Sequence, residues 1–562
     1  MFVTLFRSRL NLKLLAAFCL SMACCCSYAQ EFVSRIFSDH MVMQRGMPVP
    51  VWGWVDPGEV VTVSIDGQTK TAKANGSGKW MVRLDPMQAG APRKMTVTGK
   101  SGTVEINDIL LGEVWVASGQ SNMAWLLKHT RNGPQEIASA ANPDLRFFNV
   151  SNAMAPKAPS ERLPVANPQI ANMNVWLTSS PATVADFSAV AYFFARDLQR
   201  ALRVPVGIIS SSVGFSPIEA WISRDALMAD ANFKAVVEYY DGITNYVENT
   251  PTGRKELAEL TTQYDARQAQ LKASGKPLMW PPKYLAPLDS YDYATTFYNA
   301  KIHPLIPFAI RGVIWYQGEA QANRMYEYRS ILPLLIKDWR VRWGEGEFPF
   351  IYVQLPNWAT PNREPDPGGG WALIRESQLM TLQTPRTGMA VTIDVGEGPN
   401  IHPSNKQDVG ARLALAARGV AYDEKIVYSG PIYRSMSVEG HVARISFNHV
   451  GSGLMAGKKV GLDPTAEDPA GVLKRFAIAG EDLKFVWADA AIDKDTVVVS
   501  SPSVPKPVAV RYAWENNPEG ANLYNRDGLP ASPFKTDESK PVPSAAFFKS
   551  KIQKGYALQP SK

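Results

Sequence analysis

Short runs of alternating apolar and polar residues fill the first part of the chain, and the pattern changes near Asp108. Between about Phe32 and Ile109 these runs are separated by Asp-Gly and Asn-Gly turns, a spacing typical of a small β-sandwich. From about Asp108, apolar strands alternate with stretches of helical periodicity, which indicates an α/β domain with a parallel sheet. The pattern therefore predicts a β module followed by an α/β domain.

Five apolar segments are the expected strands of the parallel sheet, and four segments between and after them have helical periodicity. The predicted strands are Glu113–Ser118, Val206–Ser210, Gly312–Tyr316, Phe350–Gln354 and Met389–Ile393. The predicted helices are Ser188–Leu202, Tyr326–Trp343, Leu373–Gln383 and Asn405–Arg418, the last with a capping box formed by Ser404 and Gln407.

The same patterns divide the chain into five segments. We expect a signal peptide at 1–29, a β-sandwich module at 30–109, an α/β domain at 110–421 with an insertion at 225–300, a β-rich C-terminal region at 422–540 and a polar tail at 541–562. The insertion holds a polar amphipathic helix from about Gly253 to Lys272 and a Trp280-Pro281-Pro282 segment.

The N-terminus has the features of a secretory leader. Positive charges at Arg7, Arg9 and Lys13 precede the apolar stretch Leu14–Cys26, and Ser27-Tyr28-Ala29 forms a small-x-small cleavage site. We therefore expect a secreted or periplasmic protein whose only membrane contact is the cleaved leader, without a lipid anchor. All four cysteines lie in this leader, so the mature chain has neither a disulfide nor a thiolate metal site.

Charge and motifs exclude several function classes. The net charge of +7 falls to +4 without the three leader cations, and no dense basic block occurs, so no nucleic-acid partner is expected. The chain contains neither the HExxH motif of zinc proteases nor the GxSxG motif of α/β-hydrolases.

Polar residues with catalytic potential follow the predicted strands, where ligands of parallel sheets bind. Ser121 is a candidate nucleophile, which needs a base to remove its proton. His402 has the intrinsic pKa for that role. Gly214 leaves its backbone N–H open to a developing oxyanion, and Gln317 offers a side-chain N–H. Taken singly, Ser121 and Gly214 also suit ordinary turns, and Gln317 suits a buried amide that holds a loop.

Six short motifs follow one another along the chain. They are Gly119-Gln120-Ser121-Asn122-Met123, Ser216-Pro217-Ile218-Glu219-Ala220-Trp221, Tyr298-Asn299, Trp315-Tyr316-Gln317-Gly318-Glu319, Ile401-His402-Pro403-x-Asn405-Lys406-Gln407 and Asn522-Leu523-Tyr524-Asn525-x-x-Gly528-Leu529-Pro530. In this order and spacing the chain resembles the sialate O-acetylesterase family of SGNH hydrolases, and the resemblance covers nearly all of the mature chain.

The resemblance implies a flavodoxin-like three-layer α/β core that hydrolyses acetyl esters on sugars without a metal or cofactor. It makes Ser121 the nucleophile and His402 the base. The oxyanion hole would consist of the backbone N–H groups of Ser121 and Gly214 and a side-chain amide, assigned to Gln317. Gln321 and Asn122 are the reserves for that amide, and the expected substrate contacts are Gln120, Asn122, Glu319 and Gln321.

The sequence departs from the family pattern in two places. Pro399 and Asn400 occupy the positions where related enzymes carry an acid before the histidine. Asp394, Glu397 or a backbone carbonyl could orient His402, or a Ser–His dyad could suffice, and the last two are favoured. In the segment that begins at Gly318, where the family often has Gly-Glu-x-Asn, Gln321 replaces the asparagine.

We expect a secreted carbohydrate O-acetylesterase that acts on O-acetylated sialic acid. Acetylxylan or another acylated glycan is an alternative substrate, and a non-catalytic carbohydrate-binding protein is the alternative class. A sialate carboxylate calls for a cation near Ser121, and Arg324, Arg375 and Lys301 are candidates.

Overall fold

The computed structural model describes residues 32–100, 102–155, 157–166, 170, 172–276, 293–321, 324–365, 370–538 and 545–553. The expected signal peptide and the Trp280-Pro281-Pro282 segment lie outside these ranges. Within the ranges, no helix is long and apolar enough to cross a membrane.

The N-terminal module is built from short strands, as the turn spacing predicts, and their pairing is antiparallel except for β1, which is parallel to the later strand 102–119. In β3 every second side chain is buried (Val61, Val63 and Ile65), which is the alternation of a sheet with one face on a core. The strands are β1 Val42–Gln44, β2 Val49–Trp54, β3 Val60–Ile65, β4 Gln68–Lys73, β5 Lys79–Leu84 and β6 Arg93–Gly99.

One long strand, β7 (Gly102–Gly119), joins this module to the α/β domain. Its first half pairs antiparallel with β6, and its second half pairs parallel with strands of the central sheet. The predicted boundary at residue 109 therefore falls inside a single strand. The continuous run of buried side chains from Ile109 to Val116 holds both halves in one hydrophobic core.

The central sheet follows the order β13-β12-β11-β7-β10-β8-β9. Its neighbours are parallel except for β9, which is antiparallel to β8. The remaining strands of this sheet are β8 Asn142–Asn149, β9 Trp176–Ser179, β10 Val206–Ser212, β11 Gly312–Tyr316, β12 Phe350–Gln354 and β13 Thr387–Val391. All five predicted strands are confirmed, the last displaced by two residues, whereas the sequence analysis missed β8 and β9.

Most helices lie in the connections between these strands, whereas α9 and α10 follow the last of them. They are α1 Ser121–Ala124, α2 Gly133–Ala138, α3 Ala189–Leu202, α4 Arg224–Ala229, α5 Lys234–Asn249, α6 Pro251–Ala273, α7 Tyr328–Trp343, α8 Gly370–Met380, α9 Gln407–Ala421 and α10 Ala545–Gln553. The predicted capping box of α9 is wrong: this helix begins at Gln407, and the Ser404 hydroxyl donates a hydrogen bond to Glu397 instead.

The C-terminal region forms three small sheets with their own core, which includes Ile445, Ile478 and Val497. Its strands are β14 Ile432–Glu439, β15 Val442–Asn448, β16 Leu454–Lys458, β17 Ala466–Glu467, β18 Phe476–Ala479, β19 Val486–Trp487, β20 Asp489–Asp493, β21 Thr496–Ser500, β22 Ala509–Tyr512, β23 Leu523–Asn525 and β24 Phe534–Lys535. The protein is thus a mixed α/β structure with β regions at both ends.

Candidate active site

Ser121 lies directly beyond the carboxyl end of β7, at the centre of the sheet. Gly119 has φ 137° there, a backbone conformation that favours glycine. A Cβ at this position would lie 2.1 Å from the carbonyl oxygen of Tyr316, so no side chain fits. Ser121 opens α1, and the first N–H groups of a helix have no acceptor within it. Its N–H is therefore available to a substrate oxygen.

His402 lies in the loop between β13 and α9, beside this serine. Its Nε2 atom is 2.8 Å from Ser121 Oγ. The imidazole stacks on the indole of Trp125, with ring centroids 5.0 Å apart and planes 21° from parallel. Asn400 accepts a hydrogen bond from the His402 backbone N–H (2.9 Å) and donates one to its carbonyl (2.8 Å). These contacts hold the ring with Nε2 toward the hydroxyl.

Two effects lower the pKa of His402. The larger is desolvation by burial, and the second is the positive charge of Lys406. Both favour the neutral imidazole, whose Nε2 lone pair accepts a proton from the Ser121 hydroxyl. His402 is therefore suited to act as a base at neutral pH.

Gly214 faces the serine from the loop that follows β10. A Cβ built on Gly214 would lie 3.5 Å from Ser121 Cβ. The neighbouring Val213 N–H donates to the carbonyl oxygen of Gly119 at 3.1 Å, which joins the loops after β7 and β10. The structure thus brings Ser121, Gly214 and His402 together.

The two carboxylates considered as partners of His402 are engaged elsewhere. Asp394 accepts hydrogen bonds from the Arg412 guanidinium at 2.6 and 2.8 Å and one from the Tyr524 hydroxyl. Glu397 accepts from the Ser404 N–H and hydroxyl (2.8 and 2.6 Å) and from the Asn400 amide (3.1 Å).

No hydrogen bond joins either carboxylate to the imidazole in the part of the chain that the structure describes. Although burial opposes it, the hydrogen bonds from Ser404 hold the pKa of Glu397 below its usual value. Glu397 therefore stays ionised and acts on the His402 loop through Asn400 and Ser404, not on the imidazole itself.

The buried Gln317 amide is surrounded by its own partners. Its Nε2 donates to Gln321 Oε1 (3.0 Å) and to the Ser216 carbonyl (3.3 Å), and its Oε1 accepts from the Tyr328 hydroxyl (2.8 Å). Gln321 Nε2 in turn donates to Glu219 at 2.7 Å. A role for Gln317 in the oxyanion hole therefore requires one of its two donated hydrogen bonds to break, and the longer bond to Ser216 is the weaker.

A buried polar chain lies beneath the serine and links Lys406, Asn122 and Glu319. Lys406 Nζ donates to Asn122 Oδ1 at 2.5 Å, and Asn122 Nδ2 donates to Glu319 Oε1 at 2.6 Å and to the Ile401 carbonyl at 3.0 Å. Burial lowers the pKa of Lys406 to about 7 and raises the pKa of Glu319. The Asn122 amide thus connects the helix of the nucleophile to the loop of the base.

Four residues were predicted to contact the substrate. In two of them, Asn122 and Gln321, both the amide oxygen and the amide nitrogen are hydrogen-bonded to other side chains of the protein. Gln120 Oε1 accepts a hydrogen bond from the Ala320 N–H at 3.1 Å. Sequence reasoning missed Lys406 as a functional candidate, although its motif contains it. The only available signals were that motif and the position of Lys406 four residues after His402.

The three cations considered for a sialate carboxylate are also engaged within the fold. Arg324 pairs with Glu219 and Glu327. Arg375 donates to four backbone carbonyls, and Lys301 Nζ donates to the carbonyls of Val150 and Ser151 and to Asn152. Binding a substrate carboxylate would cost these internal contacts.

Comparison with known proteins shows which family this chain resembles. Residues 274–418 match the family described as carbohydrate esterase, sialic acid-specific acetylesterase. A solved structure of a carbohydrate acetylesterase from Xanthomonas citri is 38% identical, with a TM-score of 0.73 over 90% of this chain and 99% of the other.

The sialate O-acetylesterases of mammals match over the same extent. The protein from Rattus norvegicus is 30% identical, over 90% of this chain and 94% of its own length. The chain belongs to the sialate O-acetylesterase family. The Homo sapiens member is 29% identical over 90% of this chain. This family member is a carboxylic ester hydrolase, and its substrates are O-acetylated carbohydrates.

Proposed function

We propose that the protein is a secreted carbohydrate O-acetylesterase that works through a Ser121–His402 dyad and an acetyl-enzyme. The observation that carries this proposal is the 2.8 Å contact between His402 Nε2 and Ser121 Oγ at the carboxyl edge of the sheet. A serine hydroxyl is a weak nucleophile unless a base within hydrogen-bond reach takes its proton. The lowered pKa of His402 supplies that base in its neutral form.

Acylation begins when His402 Nε2 removes the hydroxyl proton as Oγ attacks the acetyl carbonyl carbon. The carbonyl electrons move to oxygen, which the backbone N–H groups of Ser121 and Gly214 stabilise. Each such donor is worth about 100- to 1,000-fold in rate. The intermediate collapses, the bond to the sugar oxygen breaks, and protonated His402 gives its proton to that oxygen.

Deacylation repeats these steps with water. His402 takes a proton from a water molecule, which attacks the acetyl carbonyl of acetyl-Ser121. The second tetrahedral intermediate expels Ser121 Oγ, which regains its proton from His402, and acetate leaves. Asn400 and Trp125 orient the imidazole throughout, in place of a carboxylate on its second nitrogen.

The parallel strand order and the helices in the crossovers support a flavodoxin-like three-layer arrangement of the core. The basic and apolar leader with its small-x-small site supports export to the periplasm or the medium. O-acetylated sialic acid is the proposed substrate, because the family relatives are sialate O-acetylesterases. Acetate release from O-acetylated sialic acid and from acetylated xylan, measured under matched conditions, separates the two substrate classes.

The mechanism is tested by hydrolysis of p-nitrophenyl acetate by the wild type and by Ser121→Ala. We expect the variant to lose at least about 1,000-fold in kcat, since its nucleophile is gone. Ser64→Ala, in the N-terminal module, is the matched control and keeps the wild-type rate. Equal rates for wild type and Ser121→Ala would refute the mechanism and favour a non-catalytic binding protein.

A further inference from the structure

A cleft of about 950 Å³ lies between the catalytic domain and the C-terminal β region, away from the atoms of Ser121 and His402. One wall follows β12 and β13 and contains residues 357–361 and 393–399. The other wall belongs to the C-terminal region and contains residues 457–459 and 517–522. Asn357 and Asn517 join the two walls through a hydrogen bond of 3.0 Å. Because β12 and β13 end at this wall, the cleft lies at the same edge of the sheet as the serine.

The loop that carries His402 forms part of this cleft. Glu397, Gly398 and Pro399 line it, and His402 follows three residues later. From the opposite wall, Lys459 forms an ion pair with Asp408 at 2.7 Å, at the start of α9. The catalytic loop therefore lines the cleft through residues 397–399, and the Lys459–Asp408 ion pair ties the start of the following helix to the C-terminal region.

The lining combines an aromatic ring with exposed polar groups. Trp358 is partly exposed, and the buried Trp371 supports it with ring centroids 5.1 Å apart. Lys458 and Lys474 are exposed and form no ion pair within the described ranges, and the exposed Glu519 lies on the same side. An aromatic face stacks on the C–H bonds of a sugar ring, while charged and polar groups bond its hydroxyls.

The balance of charge in the cleft favours neutral sugars over a polyanion. The lining contains three lysines and four carboxylates, so neither sign predominates strongly. They are Lys458, Lys459, Lys474, Asp394, Glu397, Asp468 and Glu519. The volume lies at the upper end of the range of about 300–1,000 Å³ for small-ligand sites, which leaves room for more than one sugar residue.

We propose that this cleft binds the sugar residues that adjoin the acetylated sugar of a glycan chain. Trp358 stacks on one of these rings, and Lys458 and Lys474 donate hydrogen bonds to hydroxyls. The enzyme then removes acetyl groups from oligosaccharides faster than from the corresponding single sugars. This inference rests on the proposed esterase function, with Ser121 as the nucleophile.

The test compares kcat/KM of the full chain on acetylated xylo-oligosaccharides, on acetylated sialyl-oligosaccharides and on the matching acetylated monosaccharides, with p-nitrophenyl acetate as reference. We expect wild type to prefer at least one oligosaccharide over its monosaccharide. Trp358→Ala lowers the ratio of oligosaccharide to p-nitrophenyl acetate activity about tenfold, equivalent to about 1.4 kcal/mol. Trp358→Phe keeps most of this activity ratio, because it retains an aromatic ring. Lys474→Ala also lowers the ratio, whereas the exposed control Lys484→Ala leaves it unchanged.

Wild-type rates that are equal on every oligosaccharide and its monosaccharide would overturn the proposal. It would also be overturned if Trp358→Ala kept the wild-type ratio while its thermal unfolding matched wild type. Failure of the esterase function is a separate outcome, since then wild type and Ser121→Ala would hydrolyse p-nitrophenyl acetate equally.

Discussion

His402 removes a proton from Ser121 only while its imidazole is neutral, and its surroundings maintain that form. Burial and the Lys406 charge both lower its pKa, so the acidic limb of the rate profile lies below the usual titration range of histidine.

At the residue scale the sequence predicted Ser121, Gly214 and His402, because each follows a strand of recognisable pattern. Lys406 could not be assigned, since its role depends on the approach of residues 122 and 406 across the fold.

Replacing Lys406 with methionine removes one cause of the low pKa of His402. The pKa then rises toward its ordinary value, so the acidic limb of kcat/KM on p-nitrophenyl acetate moves to higher pH. Lys406 itself has a pKa of about 7, so it is charged mainly below pH 7. The acidic limb of the rate profile lies in that range, and there the charge lowers the pKa of His402. A pH–rate profile measures the shift, with Lys484→Met as control, and an unmoved limb would contradict this role.

The substitution Asp394→Asn tests whether Asp394 stabilises the fold through its ion pair with Arg412 or orients the imidazole of His402. The buried Arg412 guanidinium would lose its carboxylate partner, and removing one member of a buried ion pair typically costs about 3–5 kcal/mol of unfolding free energy. Urea unfolding measures that loss, with the exposed Asp489→Asn as control. A stable variant with kcat reduced about 10,000-fold would instead indicate that Asp394 orients His402.

At the scale of elements, the carboxyl ends of β7, β10 and β13 bring together residues that are far apart in sequence. The apolar runs of these strands predicted their carboxyl ends to within two residues, although β7 begins eleven residues before the predicted start. The outer strand β8 was missed because Asp144 and Arg146 interrupt its apolar run. Its neighbour β9 was missed because it has only four residues, two of them polar. The start of α9 was misplaced because the Ser404 hydroxyl, the predicted cap, donates its hydrogen bond to Glu397 instead. Glu397 lies seven residues before Ser404 in the sequence.

Gly119 and Gly214 give a matched pair of substitutions at two strand ends. Gly119→Ala combines a positive φ with a Cβ 2.1 Å from the Tyr316 carbonyl oxygen, so we expect a loss of about 3 kcal/mol in unfolding free energy. Gly214→Ala places its Cβ at ordinary contact distance from Ser121. It should fold normally and lower kcat/KM by crowding the nucleophile. Thermal unfolding and p-nitrophenyl acetate kinetics measure both, and equal stability of the two variants would contradict this distinction.

At the scale of the whole molecule, the β regions at both ends are continuous with the catalytic core. β7 carries the N-terminal module into the central sheet, and the guanidinium of Arg375 binds the carbonyls of Glu515 and Asn516 in the C-terminal region. The sequence indicated the N-terminal module from its turn spacing and the C-terminal region from the β-type patterning of its apolar segments. It could not indicate how the C-terminal region joins the core, because these contacts link Arg375 to residues 140 and 141 positions further along the chain.

The docking of helix α10 could not be predicted from the sequence either, because the sequence indicated only a polar tail at 541–562. Phe548 is 4% exposed and packs against Tyr239 and Tyr240 of α5. Phe548→Ala should therefore lower the unfolding free energy by about 3 kcal/mol. The control Phe215→Ala, at a position that is 68% exposed, should change it little. Similar unfolding midpoints for the two variants would show that α10 is not docked.

The most direct test of the central claim is to trap the acetyl-enzyme. The wild type is mixed with p-nitrophenyl acetate, quenched with acid within the first turnover and digested, and the acetylated residue is located by mass spectrometry. We predict an acetyl group on Ser121, its absence in Ser121→Ala and a slower appearance in His402→Ala. An acetyl group on another residue of an active wild type, or turnover that persists in Ser121→Ala, would contradict the account.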